Sequence, residues 1–215
     1  MSDVTKEGKF VTSIKSPDQR LALILGGISQ GRLLIIGFSP RIIGHGLKIA
    51  LRFAAMRRQF GKPGDKDEIP LIEYPLHQYR LFPYLGQVFA QLFASNEIYI
   101  SWNEISQDLF NTKAQQSIGE LHATISALKA VHSWSAMKAL QECREACGGL
   151  GYSYYSKLGI LRANWDVQQT WEGDNNVLLQ QTAKYLIDII KAKFKGKEPK
   201  TRFQSWISTT PVEGA

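Results

Sequence analysis

Residues 32–54 read Arg32-Leu33-Leu34-Ile35-Ile36-Gly37-Phe38-Ser39-Pro40-Arg41-Ile42-Ile43-Gly44-His45-Gly46-Leu47-Lys48-Ile49-Ala50-Leu51-Arg52-Phe53-Ala54. Leu33, Ile36, Ile43, Leu47, Ala50 and Ala54 recur at three-, four- or seven-residue steps and draw one apolar stripe along a helix. Ser39-Pro40 interrupts the run, and a proline inside a helix should kink it or split it in two. Upstream, Gly26, Gly27 and Gly31 weaken the start of this helix, which begins near Leu21. Residues 1–20 read as a polar, extended lead-in with one short strand from Phe10 to Ile14.

The same period continues downstream. Gln59 to Ile69 is a loop rich in glycine, proline and charge. A second helical pattern runs from about Pro70 to Phe110, with a kink expected at Pro83. Residues 107–117 read as a polar break. Ile118 to Cys147 is helical and rich in alanine, and it ends where Gly148-Gly149 can adopt positive φ. Residues 148–172 read as an irregular loop. Val177, Leu178, Gln181, Tyr185, Ile189 and Ile190 space a closing helix over 175–193. Residues 194–215 form a basic tail that reads as exposed. No run of alternating strands follows residue 20. The expected fold is all-α, an antiparallel bundle of about four long helices over residues 21–193.

With 215 residues, 44% of them hydrophobic, the chain is long and apolar enough to bury a globular core. Its net charge of +7 is uneven. Residues 1–64 carry eleven Lys/Arg against three Asp/Glu, and residues 65–128 carry three against eight. A basic N-terminal part suits a phosphate-rich ligand. The arginines lie in helical patterns that also carry a core stripe, and no standard nucleic-acid motif accompanies them. Cys143 and Cys147 are neighbours on one helix and read as packing thiols in a reducing compartment. The four histidines are scattered, so no metal site is expected. The start is polar, unlike a signal peptide, and no uninterrupted apolar run reaches the length of a membrane span. The last residues, Val212-Glu213-Gly214-Ala215, are not a peroxisomal address.

Three motifs carry chemistry, and each has a plainer reading beside the functional one. Arg57-Arg58-Gln59-Phe60-Gly61 places arginines at a helix end, which they stabilise through the dipole. Their planar guanidinium groups would equally pair with a pyrophosphate. Gly148-Gly149-Leu150-Gly151-Tyr152 is a glycine C-cap, or a place where a ligand approaches the backbone closely. In Trp171-Glu172-Gly173-Asp174, Asp174 can cap the next helix, which leaves Glu172 one step outside that role. A glutamate held against apolar surface gains a raised pKa and becomes a usable base.

In this order, the three motifs resemble the acyl-CoA dehydrogenase and oxidase superfamily. The likeness is greatest to the peroxisomal acyl-CoA oxidases of the pristanoyl-CoA, branched-chain type. Glu68-Ile69-Pro70-Leu71-Ile72-Glu73-Tyr74-Pro75, Leu81-Phe82-Pro83-Tyr84-Leu85, Gln141-Glu142-Cys143-Arg144-Glu145-Ala146-Cys147 and Leu178-Leu179-Gln180-Gln181-Thr182 also carry it, over most of residues 5–192. The resemblance implies FAD as cofactor and fatty acyl-CoA as substrate. It further implies α,β-dehydrogenation with dioxygen reduced to hydrogen peroxide, a place in β-oxidation, a homodimer and a peroxisomal location. Glu172 matches the base that removes the α-proton, and Gly173 the residue that shapes its loop beside the substrate. Arg57 matches the arginine that reaches the FAD pyrophosphate across a subunit boundary, with Gln59 and Phe60 as cofactor-contacting neighbours. Gly148 and Gly149 match the turn that meets the adenosine half of FAD. Asp174 falls where relatives have a cofactor-contacting threonine. Arg32 lies where an arginine approaches the CoA end of the substrate. Full members carry further domains before and after this region, so the resemblance covers the central helical domain alone: a fragment, a truncated gene product, or a subunit whose partner supplies the missing domains. The lead-in matches the last strand of the preceding β-domain. The alternative is a non-catalytic interaction protein that kept the helical fold.

Overall fold

The structure, a computed structural model, describes residues 2–12, 17–61, 64, 66–107, 112–198, 201 and 204–205. Strand β1 (Ser2–Val4) pairs antiparallel with β2 (Phe10–Thr12), Asp3 facing Val11. The strand expected from Phe10 onward therefore has a mate within the lead-in itself; residues 13 and 14 lie outside the described residues.

Four long helices make the body: α1 (Pro17–Met56), α2 (Pro75–Gln107), α3 (Thr112–Ala146) and, after the short α4 (Gly148–Tyr152) and α5 (Leu158–Asp166), α6 (Asn175–Phe194). Side-chain contacts give their directions. Arg32 meets Ser126, and Gly46 faces Leu140 and Cys143, so α1 and α3 run parallel. Gln91 bonds Ser135 and Arg80 bonds Glu142, so α2 runs against α3. Lys129 meets Asn175 and His122 meets Gln181, so α6 also runs against α3. Consecutive long helices thus alternate in direction, and α3 touches the other three.

The core follows the stripe read from the sequence. Ile43, Leu47 and Ala50 of α1 pack with Leu81 of α2 and with Ala139 and Leu140 of α3. Leu33 and Ile36 pack with Ile98, Leu121 and Ile125 in a second cluster. Each fully buried Leu or Ile contributes about 1.5–3 kcal/mol. Gly27–Met56 is long and apolar enough to cross a bilayer, with mean hydropathy 1.3, yet half of that window is buried within the bundle.

Pro40 does not split α1. A proline in a helix interior lacks the N–H that would reach the carbonyl four residues back, at a cost of about 3 kcal/mol. That carbonyl is Ile36 O. His132 Nδ1 of α3 lies 3.2 Å from it, and Ser95 Oγ of α2, whose one hydrogen is shared with the nearer Gln91 O at 2.6 Å, also lies at 3.2 Å. The bond from His132 returns about 1 kcal/mol. Ser39 Oγ donates to Ile35 O at 2.8 Å beside it.

Three other expectations change. Residues 148–172 are mostly ordered as α4, α5 and the 3-10 turns Tyr154–Ser156 and Val167–Gln169. A nine-residue helix is too short for its period to stand out, and α5 is held by two buried residues, Leu158 and Trp165. The polar break ends early, because α3 already starts at Thr112. Of the described tail residues, 194–198 and 205 are exposed, whereas two contact the bundle: Thr201 bonds Glu120, and Gln204 Nε2 donates to Tyr185 OH at 3.2 Å.

Candidate active site

The turn between α5 and α6 carries two consecutive residues with positive φ, Glu172 at 55° and Gly173 at 110°. The left-handed region costs a non-glycine residue about 1–2 kcal/mol, so the surroundings must hold Glu172 there. Arg32 Nε donates to Glu172 O at 2.8 Å. Lys129 Nζ donates to Gly173 O at 2.7 Å and to Asn175 Oδ1 at 2.9 Å. Asn175 Nδ2 continues the chain to Ser133 Oγ at 2.9 Å. Asp174 caps α6, its Oδ1 accepting from Asn176 N at 2.9 Å and Val177 N at 3.3 Å.

The Glu172 carboxylate lies directly over Gly31 of α1. A methyl group at Gly31 would stand 2.6–2.8 Å from the carboxylate atoms. Beside it opens a cavity of about 320 Å³, lined by Leu34, Ile35, Phe38, Trp165 and Trp171. The wall is mostly apolar and aromatic, with Gln168 the one uncharged polar side chain in it. Glu172 itself is exposed, as is Trp171 at 52%.

Two cations support this turn from beneath. Arg32 is buried, and burial lowers its pKa while the Glu172 charge opposes the shift. Lys129 is fully buried, and its pKa falls to about 8. Desolvation is the main cause, Arg32 adds to it, and Asp174 and Glu172 oppose it. Arg32, matched by resemblance to the CoA end of the substrate, thus commits Nε to the loop carbonyl, and its second nitrogen reaches Ser126 Oγ at 3.3 Å.

The remaining expected residues lie elsewhere. Arg57, Gln59 and Phe60 sit together beyond the C-terminus of α1, where Arg57 donates to Gln59 Oε1 at 3.0 Å. Backbone bonds from Gln59 N to Ile69 O and from Leu71 N to Arg57 O close the loop at its base. Phe60 is 72% exposed, and Arg57 has no carboxylate partner among the described residues. Gly31 lies 25 residues before Met56, the last residue of α1, so roughly 38 Å of helix, at 1.5 Å per residue, separates it from the turn that carries Arg57. Gly148 and Gly149 open α4 just past the end of α3, at that same end of the bundle, since α1 and α3 run parallel. Gly148 has φ 56°, and a methyl group at either glycine would meet nothing within 4 Å. Gly151 differs: its Cβ would lie 1.9 Å from Arg144 O.

Sequence reasoning missed Gly31, Ser126, Lys129, Ser133 and Asn175. A faint signal existed for Lys129. It lies four residues after Ile125 and four before Ser133, on a helix face that is otherwise core. Cys143 and Cys147 are buried thiols as expected, with burial pushing Cys143 up to about 12. No cluster able to hold a metal occurs among the described residues.

Residues 25–187 match the family "Acyl-CoA oxidase, C-alpha1 domain". The chain is 43% identical to human peroxisomal acyl-coenzyme A oxidase 3 over 194 residues, 88% of this chain and 28% of that protein. It is 37% identical to acyl-coenzyme A oxidase 3, peroxisomal, of Arabidopsis thaliana, covering 92% of this chain and 28% of the relative. Among solved structures, acyl-CoA oxidase 1 of Yarrowia lipolytica superposes with TM-score 0.84 at 31% identity, over all of this chain and 32% of that one. Acyl-CoA oxidase-2 of Caenorhabditis elegans, solved with FAD, ascaroside-CoA and ATP, gives TM-score 0.86 at 26% identity, over 99% and 32%. The chain therefore spans less than a third of the length of these relatives.

Proposed function

The chain belongs to the acyl-CoA oxidase family, and from that membership we propose that it is the helical part of an FAD-dependent, peroxisomal acyl-CoA oxidase with Glu172 as the base. The carrying observation is the Glu172 carboxylate, seated over Gly31 at the mouth of an apolar cavity. An acyl chain suits Leu34, Ile35, Phe38 and the two tryptophans, which would bring the α-carbon beside the carboxylate. Glu172 accepts the α-proton. Among the described residues nothing accepts a hydrogen bond from the Glu172 N–H, which leaves it to donate to the thioester carbonyl as negative charge builds there. FAD, when bound, supplies the acceptor for the β-hydrogen as hydride and passes the electrons to dioxygen.

The residues at the far end suit the cofactor. Arg57 offers a fork without a carboxylate partner, and Gly148 and Gly149 leave open space for a ligand. A dinucleotide cannot bridge the span from there to Glu172, which supports Arg57 serving the flavin of a second copy. Self-association also accounts for the outer face of α2, where Tyr79, Phe82, Phe89, Phe93 and Ile100 are all exposed. Glu172→Gln in the full-length flavoprotein tests the proposal. It should keep FAD but bleach the flavin with acyl-CoA under anaerobic conditions about 10²–10⁴-fold more slowly. Bleaching within about threefold of wild type would remove Glu172 from the role of base.

A further inference from the structure

We propose that Lys129 is a positioning residue for the base: with Arg32 it grips two successive carbonyls, Glu172 O and Gly173 O, and so fixes where the Glu172 carboxylate and N–H point. The inference rests on Glu172 being the base. Arg32 reaches the turn from α1 and Lys129 from α3, so the peptide between the two carbonyls is held from both long helices at once.

Lys129 is costly where it stands. A buried ammonium loses its hydration, and here it sits by the N-terminus of α6, the end whose partial charge is already positive. Helix capping does not explain it, because Asp174 already accepts from two N–H groups of the first turn. Lys129 reaches past that turn to Gly173 O. Asn175 Oδ1 takes a second hydrogen, and Ser133 fixes the asparagine in turn. What this chain holds still is the strained Glu172 and the glycine after it. The charged groups facing Lys129 are Arg32 from α1 and Asp174 and Glu172 from the turn.

The test isolates proton removal from flavin reduction. An acyl-CoA analogue with sulfur in place of the β-carbon has no β-hydrogen to lose as hydride, yet its α-hydrogen exchanges with deuterated water when a base removes it. In the full-length flavoprotein, Lys129→Met should bind the analogue within about threefold of wild type. Exchange at saturation should fall about tenfold or more, since a 1 Å misplacement costs up to about 10²-fold. Exchange within about threefold of wild type at unchanged affinity overturns the proposal, as does a loss that appears only in affinity. If Lys129→Met does not fold, the wild-type pH profile decides. Exchange at saturation should drop as the ammonium loses its proton around pH 8, and a profile flat or rising there overturns the proposal. Glu172→Gln is the control. Undiminished exchange in that variant means the base reading itself has failed, whereas loss there with normal exchange in Lys129→Met sinks only the role of Lys129.

Discussion

His132 and Ile36 are joined across two helices: the imidazole Nδ1 lies 3.2 Å from the carbonyl oxygen that Pro40 deprives of its helical donor. A carbonyl only accepts, so the ring must carry hydrogen on Nδ1. Burial pushes the pKa of His132 below its ordinary value, against the smaller opposing effect of this bond. His77 and His122 shift the same way, also chiefly through burial.

Acid should therefore destabilise the bundle. The unfolded chain takes up protons near pH 6.5 while the folded imidazoles resist. Stability from these groups is fully present above pH 6.5 and is lost as pH falls through the folded values. His132→Leu should lower stability at pH 7.5 by about 1–3 kcal/mol, the cost of leaving a buried carbonyl short of a donor, and should flatten the acid limb. Urea titrations at pH 5 and 7.5 check both, and a variant with the wild-type acid limb would move the effect to His77 or His122.

Gly31→Ala should separate stability from activity. Alanine gains about 1 kcal/mol over glycine in a helix interior. Its methyl group, however, meets the end of the flexible Glu172 side chain, which can swing aside. The expected result is an equal or higher melting temperature with slower flavin bleaching in the full-length protein. A variant of undiminished rate would show that the carboxylate does not need its seat over Gly31.

Gly149→Ala and Gly151→Ala, two residues apart, should behave oppositely. The first adds a methyl group to open space, the second drives one into Arg144 O. Overpacking of that kind costs about 1–3 kcal/mol, and rigid backbone belongs at the upper end. Thermal unfolding compares them, and equal melting temperatures would refute the packing at the end of α3.

Arg57→Lys keeps the charge and loses the planar fork. It should weaken FAD retention, since an ammonium cannot pair bidentately with a pyrophosphate. Gel filtration with absorbance at the flavin band reads retention in the full-length protein. Unchanged retention would return Arg57 to the stabilisation of a helix end.

Charge placed on the outer face of α2 should break self-association. Phe89→Glu with Phe93→Glu replaces two exposed rings that no core contact requires, at 56% and 74% exposure. Light scattering should find an oligomer in wild type and a smaller species in the variant. A monodisperse wild-type monomer at micromolar concentration would sink the proposed interface.

The sequence revealed what local rules govern. The three- and four-residue period marked α1, α2, α3 and α6, and Asp174 announced a helix start where it indeed caps α6. What stayed hidden depends on partners distant in sequence. Pro40 read as a break because nothing near it shows that Ser95 and His132 will arrive at Ile36 O. Lys129 read as an ordinary lysine because its acceptor, Gly173 O, lies 44 residues away. The position of Glu172 in the chain was legible, and the glycine that seats its carboxylate was not.

The bond between Arg32 and Glu172 joins residues 140 positions apart. During synthesis the guanidinium is made long before Glu172, and its Nε stays unmatched until α6 docks against α3. Contacts of such separation form late, because the closure entropy of the intervening chain must be overcome first. The turn that bears Glu172 is thus a latch set last. Amide exchange there should report completion of the whole bundle rather than local fraying, and a nascent or clipped chain lacking α6 would carry no assembled base.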